Sequence, residues 1–268
     1  MTKTALGFAL LATSMLAACG DDSSTTPGNI YLRVAHLSPN APSVDFCIQN
    51  GTGSFTGPVL KSLGVTAGLA YPQVTKYLTV TEGTYTVRLV APNAASCDTS
   101  LAGLPTYTLP ALSNGTYATA AAVGLVGGTP GFTVKPFVDD FTAPAGQGRL
   151  RFIHASPGTP AVDVGVLAAP TFTPIFTNVT YPSIGSGTGI DANGYYATAP
   201  LTNVTLSARP TGTTTDALVI PGVSLAAGST ATAFAIGILG STPTPLKVLL
   251  CGDNAAPTGE LSTCAVAP

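Results

Sequence analysis

One phrase of this chain is written twice. The letters RVAHLSPNAPSVDF occupy residues 33–46, and RFIHASPGTPAVDV occupies residues 151–164. Identical residues stand 118 positions apart, among them His36 and His154, Asp45 and Asp163, Tyr77 and Tyr195, and Pro92 and Pro210. The offset falls to 113 after the loop 93–105, so that loop is longer in the first copy. The period predicts two units of about 110 residues, a common domain size. We call them unit 1 (30–140) and unit 2 (148–268).

The composition favours β structure in both units. The chain has 30 Gly and 23 Pro, which promote turns, and few segments show a helical period. In TYTVRLV (84–90), Tyr85, Val87 and Leu89 alternate with mostly polar positions, as in a half-buried strand. We therefore expect two tandem antiparallel β-sandwiches of immunoglobulin-like build, with a barrel as the alternative. The strands expected in unit 1 are 30–35, 43–48, 73–80, 83–91, 106–112, 116–124 and 133–138.

Two apolar runs could suggest membrane spans. They are ATAAAVGLVGG (118–128) and ATAFAIGILG (231–240). Both are shorter than the roughly 20 residues that a membrane-spanning helix needs. Short apolar runs that end at Gly are typical of buried strands, so we expect one such strand in each unit.

The repeated phrase, followed in unit 1 by GTYTVRL (83–89) and in unit 2 by its counterpart, resembles domain-of-unknown-function family 4397. Members of that family are tandem β-rich domains on bacterial surface lipoproteins. The resemblance extends over residues 29–250 and weakens at GSGTGIDANGYY (185–196), which departs from the pattern. It implies a surface lipoprotein, and it brings no reaction, cofactor or catalytic residue.

Each copy of the phrase contains the residue types of a hydrolytic triad. They are His36, Ser38 and Asp45 in unit 1, and His154, Ser156 and Asp163 in unit 2. A hydrolase needs the Ser within hydrogen-bond reach of the His, an acid that orients the His, and an oxyanion site. A Pro follows each Ser and favours a turn, and no Gly-x-Ser-x-Gly elbow surrounds either Ser. We expect these residues to frame a turn, with catalysis and a ligand contact as the alternatives.

Charge and metal-ligand spacing exclude other functions. Charged residues make up 8% of the chain, and Arg33, Arg149 and Arg151 are expected to stand isolated at strand starts. Nucleic-acid binding needs clustered cations, so we expect no nucleic-acid partner. Zinc needs three or four converging ligands, whereas the chain has two His. The turn DANG (191–194) has no Glu to close a calcium loop, so we expect neither a metal nor a cofactor.

Four cysteines follow Cys19, and they allow three disulfide pairings. Cys47 and Cys97 lie in the same unit, one in an early strand and the other in the loop after the strand 83–91. Cys251 ends the last strand of unit 2, and Cys264 lies near the chain end. We therefore expect the pairs Cys47–Cys97 and Cys251–Cys264, the second of which would pin the C-terminal tail.

The N-terminus indicates export and lipidation. Residues 1–18 contain one cation, Lys3, and then a short apolar stretch, as in a secretory signal peptide. The letters LAAC (16–19) resemble a bacterial lipobox, which implies cleavage before Cys19 and acylation of that residue. Residues 19–29 are polar and expected to form a flexible tether. In the enterobacterial sorting rule an Asp directly after the lipidated Cys retains the protein at the inner membrane, so by resemblance Gly20 implies the outer membrane.

These features favour a non-enzymatic cell-envelope lipoprotein that acts in surface binding, adhesion or envelope scaffolding. The expected partners are the membrane, through the lipid anchor, and a surface protein or a glycan. The alternative is an exported hydrolase whose active site no motif reveals. A panel of esterase, protease and glycosidase substrates separates the two hypotheses.

The lipobox predicts that Cys19 is the first residue of the mature protein and carries lipid. Several acyl chains would anchor it stably, at about 0.8 kcal/mol for each buried CH₂. Mass spectrometry of the protein purified from its own host should show an acylated N-terminal Cys. An intact Met1 in that material would contradict the prediction.

Overall fold

The computed structural model describes residues 27–255 and 259–267. The expected signal peptide (1–18), Cys19 and residues 19–26 of the expected tether lie outside the described residues. The described part is almost entirely β. In chain order its elements are β1 (Asn29–His36), β2 (Asp45–Asn50), α1 (Val59–Ser62), β3 (Leu78–Thr81), β4 (Tyr85–Val90), a 3₁₀ turn (Leu101–Gly103), β5 (Tyr107–Thr108), β6 (Tyr117–Val123), β7 (Thr133–Asp139), β8 (Gly148–His154), β9 (Val162–Ala168), β10 (Thr171–Val179), β11 (Ser183–Ile184), β12 (Tyr195–Thr198), β13 (Leu201–Pro210), β14 (Leu218–Leu225), β15 (Thr230–Ile236), β16 (Lys247–Gly252) and β17 (Cys264–Ala267).

Strands β1 to β7 form one sandwich of two sheets. Inner sheet 1 has the strand order β3-β1-β6-β7, and outer sheet 1 has the order β2-β4-β5. Alternate side chains of a strand point to opposite faces of its sheet. Ile30, Leu32 and Val34 of β1 therefore enter one core, where they pack with Phe46 and Leu89 from outer sheet 1.

Strands β8 to β17 form a second sandwich. Inner sheet 2 has the order β11-β8-β15-β16-β17, with β12 also paired to β8, and outer sheet 2 has the order β10-β9-β13-β14. Leu150 and Phe152 of β8 share a core with Val164 of β9 and Leu206 of β13. The all-β sandwich architecture expected from the sequence is confirmed.

Each sandwich contains one parallel strand pair, β1 with β6 and β8 with β15. Parallel neighbours need a long crossover, and the intervening strands of each unit supply it. Strands β6 and β15 arise from the two apolar runs, and both lie inside an inner sheet. Ala118 to Val123 are all buried because inner sheet 1 is covered on both faces. A strand covered on both faces is apolar throughout rather than alternating.

Three local elements differ from the expectation. The strand expected at 106–112 is confined to β5 (Tyr107–Thr108), and Leu112 forms only an isolated bridge with Gly83. The strand expected at 73–80 is confined to Leu78–Thr81, and before it Val74 and Thr75 form only isolated bridges. The N–H of Lys76 donates to the carbonyl oxygen of Glu260, so this segment pairs with C-terminal residues instead of continuing along β1. The short helix α1 had no signal in the sequence pattern, because its support comes from the side chain of Asp45 in a neighbouring strand.

The two inner sheets pack against each other. Ala35 and Phe137 of inner sheet 1 share a buried apolar cluster with Ile153 and Phe234 of inner sheet 2. The four sheets are therefore stacked with the two inner sheets in the middle. The apolar cluster supplies the hydrophobic part of the contact between the units.

A network of buried charges joins the two units beside this apolar cluster. Arg33 of unit 1 donates to Asp253 of unit 2 at 2.6 Å, and Arg151 of unit 2 donates to Asp139 of unit 1. The two ion pairs cross the interface in opposite directions. All four side chains are 0% exposed, and each makes its shortest ion pair with the other unit, while Arg33 also lies 3.7 Å from Asp139 of its own unit.

The strand register gives each of these arginines the same local support. Arg33 lies opposite Thr119 in the parallel pair β1–β6, and its Nε donates to the Thr119 hydroxyl at 2.7 Å. Arg151 lies opposite Thr232 in the parallel pair β8–β15, and its Nε donates to the Thr232 hydroxyl at 3.1 Å. The two halves of the network are near copies because the two sheets have the same register.

Two tyrosines complete the network. Tyr77 donates to Asp139 at 2.7 Å, and Tyr195 donates to Asp253 at 3.3 Å. Burial raises the pKa of both tyrosines, so their hydroxyls stay protonated and act as donors. Burial also favours a raised pKa for Asp139, but Arg151 and Arg33 together hold the pKa of that carboxyl below its ordinary value.

The expectation that Arg33, Arg149 and Arg151 are isolated was wrong. Arg33 and Arg151 meet in one network because their strands belong to sheets that pack face to face. Arg149 binds Asp140 and Asp191. Spacing along the chain could not reveal these contacts, because each depends on residues distant in sequence or on the course of a loop.

The C-terminal segment of unit 2 returns to unit 1. Leu261 forms a β-bridge with Thr75, and Lys76 makes an ion pair with Glu260 at 2.9 Å. We call residues 259–263 the C-terminal strap. It adds a backbone contact between the units that lies outside the inner sheets.

Of two disulfide bonds in the described residues, one holds a loop to a strand and the other links the paired strands β16 and β17. One joins Cys47 to Cys97 within unit 1, and the other joins Cys251 to Cys264 at the end of the strap. Among residues 27–255 and 259–267, no helix has the length and apolar character that crossing a membrane requires.

The charge network predicts a large effect of Asp139→Asn. The substitution leaves Arg33 and Arg151 buried with one carboxylate fewer, and an unbalanced buried charge typically costs about 3–5 kcal/mol. We expect the free energy of unfolding in urea at pH 7 to fall by that amount.

The matched control is Glu260→Gln, which breaks the partly exposed pair with Lys76. Exposed pairs contribute about 0–1 kcal/mol, so this variant should unfold almost like the unmodified protein. If both variants lost the same free energy of unfolding, the buried network would contribute no more to stability than the exposed pair does.

Candidate functional site

The His of each repeated phrase is buried and bonded to the backbone. His36 and His154 are 0% exposed. The Nε2 of His36 lies 2.9 Å from the carbonyl oxygen of Pro42, and the Nε2 of His154 lies 3.0 Å from that of Pro160. Because a carbonyl only accepts, we assign the proton of each neutral ring to Nε2. Burial lowers the pKa of both His residues, which favours the neutral ring.

The Ser of each phrase is bonded to a carbonyl rather than to a base. Ser38 donates to the carbonyl oxygen of Gly124 at 2.6 Å, and Ser156 donates to that of Gly237 at 2.7 Å. A nucleophilic Ser must instead donate its proton to a general base. Within the described part of the chain, the buried Nδ1 of His36 has no hydrogen-bond partner. The phrase therefore brings His and Ser near each other without joining them.

The Asp of each phrase accepts backbone N–H groups. Asp45 accepts from Leu60 and Lys61 at 2.8 Å each, which holds α1 against β2. Asp163 accepts from the N–H of Asn178 at 2.7 Å. No hydrogen bond among residues 27–255 and 259–267 joins either carboxylate to the His of its phrase. The six residues therefore tie turns and strands together.

The turn DANG uses its carboxylate internally. Asp191 accepts from the N–H groups of Asn193 and Tyr195 at 2.9 and 3.0 Å and also binds Arg149. These bonds occupy both carboxylate oxygens in forming the turn. In the part of the chain that the structure describes, no three His, Cys, Asp or Glu side chains converge as a metal site would require.

A polar hollow of about 480 Å³ opens on the surface of unit 1, beside the disulfide of Cys97. We call it the Arg88 hollow. Its lining includes the side chains of Gln49, Ser54, Phe55, Arg88, Ser96 and Asp98. It forms against the loop 93–105, where unit 1 is longer than unit 2.

The loop and the strand are joined through Arg88. One guanidinium nitrogen of Arg88 donates to the carbonyl oxygen of Cys97 at 2.6 Å, and the guanidinium carbon lies 4.1 Å from the centroid of the Phe55 ring. Asp98 accepts from the hydroxyl of Ser96 at 2.7 Å. Sequence reasoning placed Arg88 only on the more polar face of a strand. The change of offset at 93–105 and the nearby Cys97 were the signals that could have singled out this place.

Comparison with known proteins supports the family resemblance over part of the chain. The family described as a domain of unknown function (DUF4397) matches residues 60–165, from α1 to β9. No curated protein matches the chain. A crystal structure of a candidate cell adhesion protein from Bacteroides fragilis is similar at 8% identity, with 85% of this chain and 99% of that chain covered and a TM-score of 0.21. At that score the likeness transfers no function.

The buried His36 and His154 predict a loss of stability in mild acid. Their pKa is lowered from 6.5 in the folded protein, so the unfolded chain binds protons first as the pH falls. Stability is therefore full above pH 6.5 and declines below it, by up to about 1.4 kcal/mol per pH unit for each His. Urea unfolding between pH 7 and pH 5 measures this slope.

The double variant His36→Gln/His154→Gln serves as the comparison. It lacks both titrating rings, so its free energy of unfolding should vary less between pH 7 and pH 5. The same slope in both proteins would assign the pH dependence to other groups.

Proposed function

We propose that this protein is a non-enzymatic lipoprotein of the cell envelope whose two β-sandwich units bind a ligand at the cell surface. One observation carries the proposal. The triad-like residues of both phrases are directed to backbone groups, with Ser38 and Ser156 donating to carbonyl oxygens. This supports a framing role for the phrase and leaves a binding surface as the better explanation of the polar hollow.

The compartment is argued from the cysteines and the N-terminus. Disulfide bonds are typical of exported proteins, and the structure contains two. The LAAC sequence and the polar residues after it support lipidation at Cys19 and a tether. Gly20 supports the outer membrane as the destination.

The contact between the units fixes their relative geometry, which supports a role in binding. The buried pairs Arg33–Asp253 and Arg151–Asp139 require the two inner sheets to meet in one register. Surfaces on the two units therefore keep a constant relation to each other. A lipid-anchored module of this kind can present a preformed surface at the end of its tether, with little ordering to offset the gain on binding.

The proposal predicts ligand binding without turnover. The purified full chain should bind defined components of a glycan and surface-protein array, and it should not hydrolyse a panel of ester, peptide and glycoside substrates. The double variant Ser38→Ala/Ser156→Ala should match the unmodified protein in both assays. It should lose about 1–3 kcal/mol of stability per site, because each buried carbonyl loses its donor.

A substrate turned over by the full chain and not by the Ser38→Ala/Ser156→Ala variant, with both proteins folded, would establish the phrase as an active site. Turnover that both proteins retain would support an exported hydrolase with its site elsewhere. Either result would contradict the proposed function.

A further inference from the structure

The arginines of this chain differ in whether they pair with a carboxylate. Four of them bind a carboxylate: Arg33, Arg149, Arg151 and Arg209. Arg88, in the strand beside the Arg88 hollow, makes no ion pair with any residue in the ranges 27–255 and 259–267. Within the described part its guanidinium donates to a neutral carbonyl, and its buried Nε has no hydrogen-bond partner. Burying a guanidinium without a counter-ion costs free energy, which is unusual in a chain with so few charges.

Unit 2 shows what such an arginine normally does. The guanidinium of Arg209 lies 4.2 Å from the centroid of the Phe172 ring, much as Arg88 lies 4.1 Å from that of Phe55. The Nε of Arg209 then donates to Asp216 at 2.6 Å, which neutralises the charge within the unit. A similar stack of arginine on phenylalanine, at a different position of the repeat, includes a carboxylate in unit 2 and lacks one among the described residues of unit 1.

The rest of the Arg88 hollow indicates what kind of anion would fit. Asp98 also lines it, and its carboxylate is bonded to Ser96 rather than to Arg88. The side-chain amide of Gln49 donates to the carbonyl of Gly53, which leaves the amide oxygen as an acceptor. The hollow thus combines a cation with acceptors, and Phe55 is the large apolar side chain in its lining. A ligand that fits must carry a negative charge and also several hydrogen-bond donors.

We propose that the Arg88 hollow binds a carboxylate-bearing sugar residue of an acidic glycan. The sugar carboxylate pairs with the guanidinium of Arg88, which is suited to planar anions. The sugar hydroxyls donate to Asp98 and to the amide oxygen of Gln49. A simple inorganic anion would not use these acceptors, and an acidic peptide would find few apolar contacts. This inference rests on the proposed binding function and names the ligand class for it.

Calorimetric titration of the full chain in detergent micelles tests the proposal. The acidic probes are tetragalacturonate and sialyllactose, and their uncharged counterparts are the methyl ester of tetragalacturonate and lactose. At low salt, where charge pairs are least screened, at least one acidic probe should bind ten or more times as tightly as its counterpart. Binding of neither acidic probe, or equal binding of acid and counterpart, would overturn the proposal.

Two variants locate the binding in the Arg88 hollow. Arg88→Gln should remove the preference for the acidic probe and weaken its binding tenfold or more, whereas the matched variant Arg209→Gln should bind like the unmodified protein. Asp98→Asn, at an exposed position, should weaken the uncharged counterpart because it weakens the contact with the hydroxyls, and it should weaken the acidic probe by a smaller factor because it also removes a repelling charge. Thermal unfolding of each variant verifies the fold. If Arg88→Gln is misfolded, Asp98→Asn tests whether the ligand binds in the Arg88 hollow. Unchanged binding in Asp98→Asn would then contradict the proposed site.

The outcome separates this inference from the proposed function. A neutral glycan or a defined surface protein that binds equally to the Arg88→Gln variant would refute the acidic-sugar site and leave the binding function intact. Hydrolysis of a panel substrate without any binding partner would refute both.

Discussion

The structure depends on four charges that are buried between two sheets. Removing an arginine or a carboxylate from water is costly, and the cost is offset only when an opposite charge and further hydrogen bonds lie at the right place. Here each arginine makes its shortest ion pair across the interface, Arg33 with Asp253 and Arg151 with Asp139. A slip of one of these strands by a single residue within its sheet would turn its side chains to the other face and leave the charges unpaired. The apolar cluster brings the inner sheets together, and the charge network selects one way for them to meet.

The repeated phrase supports this arrangement from the end of the strands. Each copy begins within the strand that carries a network arginine, and its Ser bonds the carbonyl oxygen just after the parallel neighbour strand. Gly124 and Gly237 provide that carbonyl, and both adopt positive φ. A Cβ at either position would lie 2.2 Å or less from a backbone oxygen, so another residue could not take the place without moving the chain. The phrase and these glycines together hold the parallel strands whose register places each arginine opposite its threonine.

Much of the fold followed from local patterns. The two apolar runs and the alternation in residues 84–90 report burial directly, and they predicted β6, β15 and β4. Local patterns did not predict the short helix α1, because that helix is held by the side chain of Asp45 from a separate strand. The charge network was missed for the same reason. Nothing near Arg33 in the sequence indicates Asp253, and only the packing of one inner sheet on the other brings them together. The Arg88 hollow lies where the offset of the repeat changes, so a difference between the copies indicated its place and their likeness did not.

The contacts between the units run in both directions: each unit gives the other an arginine and receives a carboxylate in the same surroundings. Self-complementary contacts of this kind characterise the interface of a twofold homodimer. Here both partners belong to one polypeptide, so their association is intramolecular and does not follow mass action. The fraction of molecules in which the two units are paired therefore does not depend on the protein concentration. A substitution in one unit also leaves the matching surface of the other unit unchanged. In a homodimer every substitution appears in both subunits.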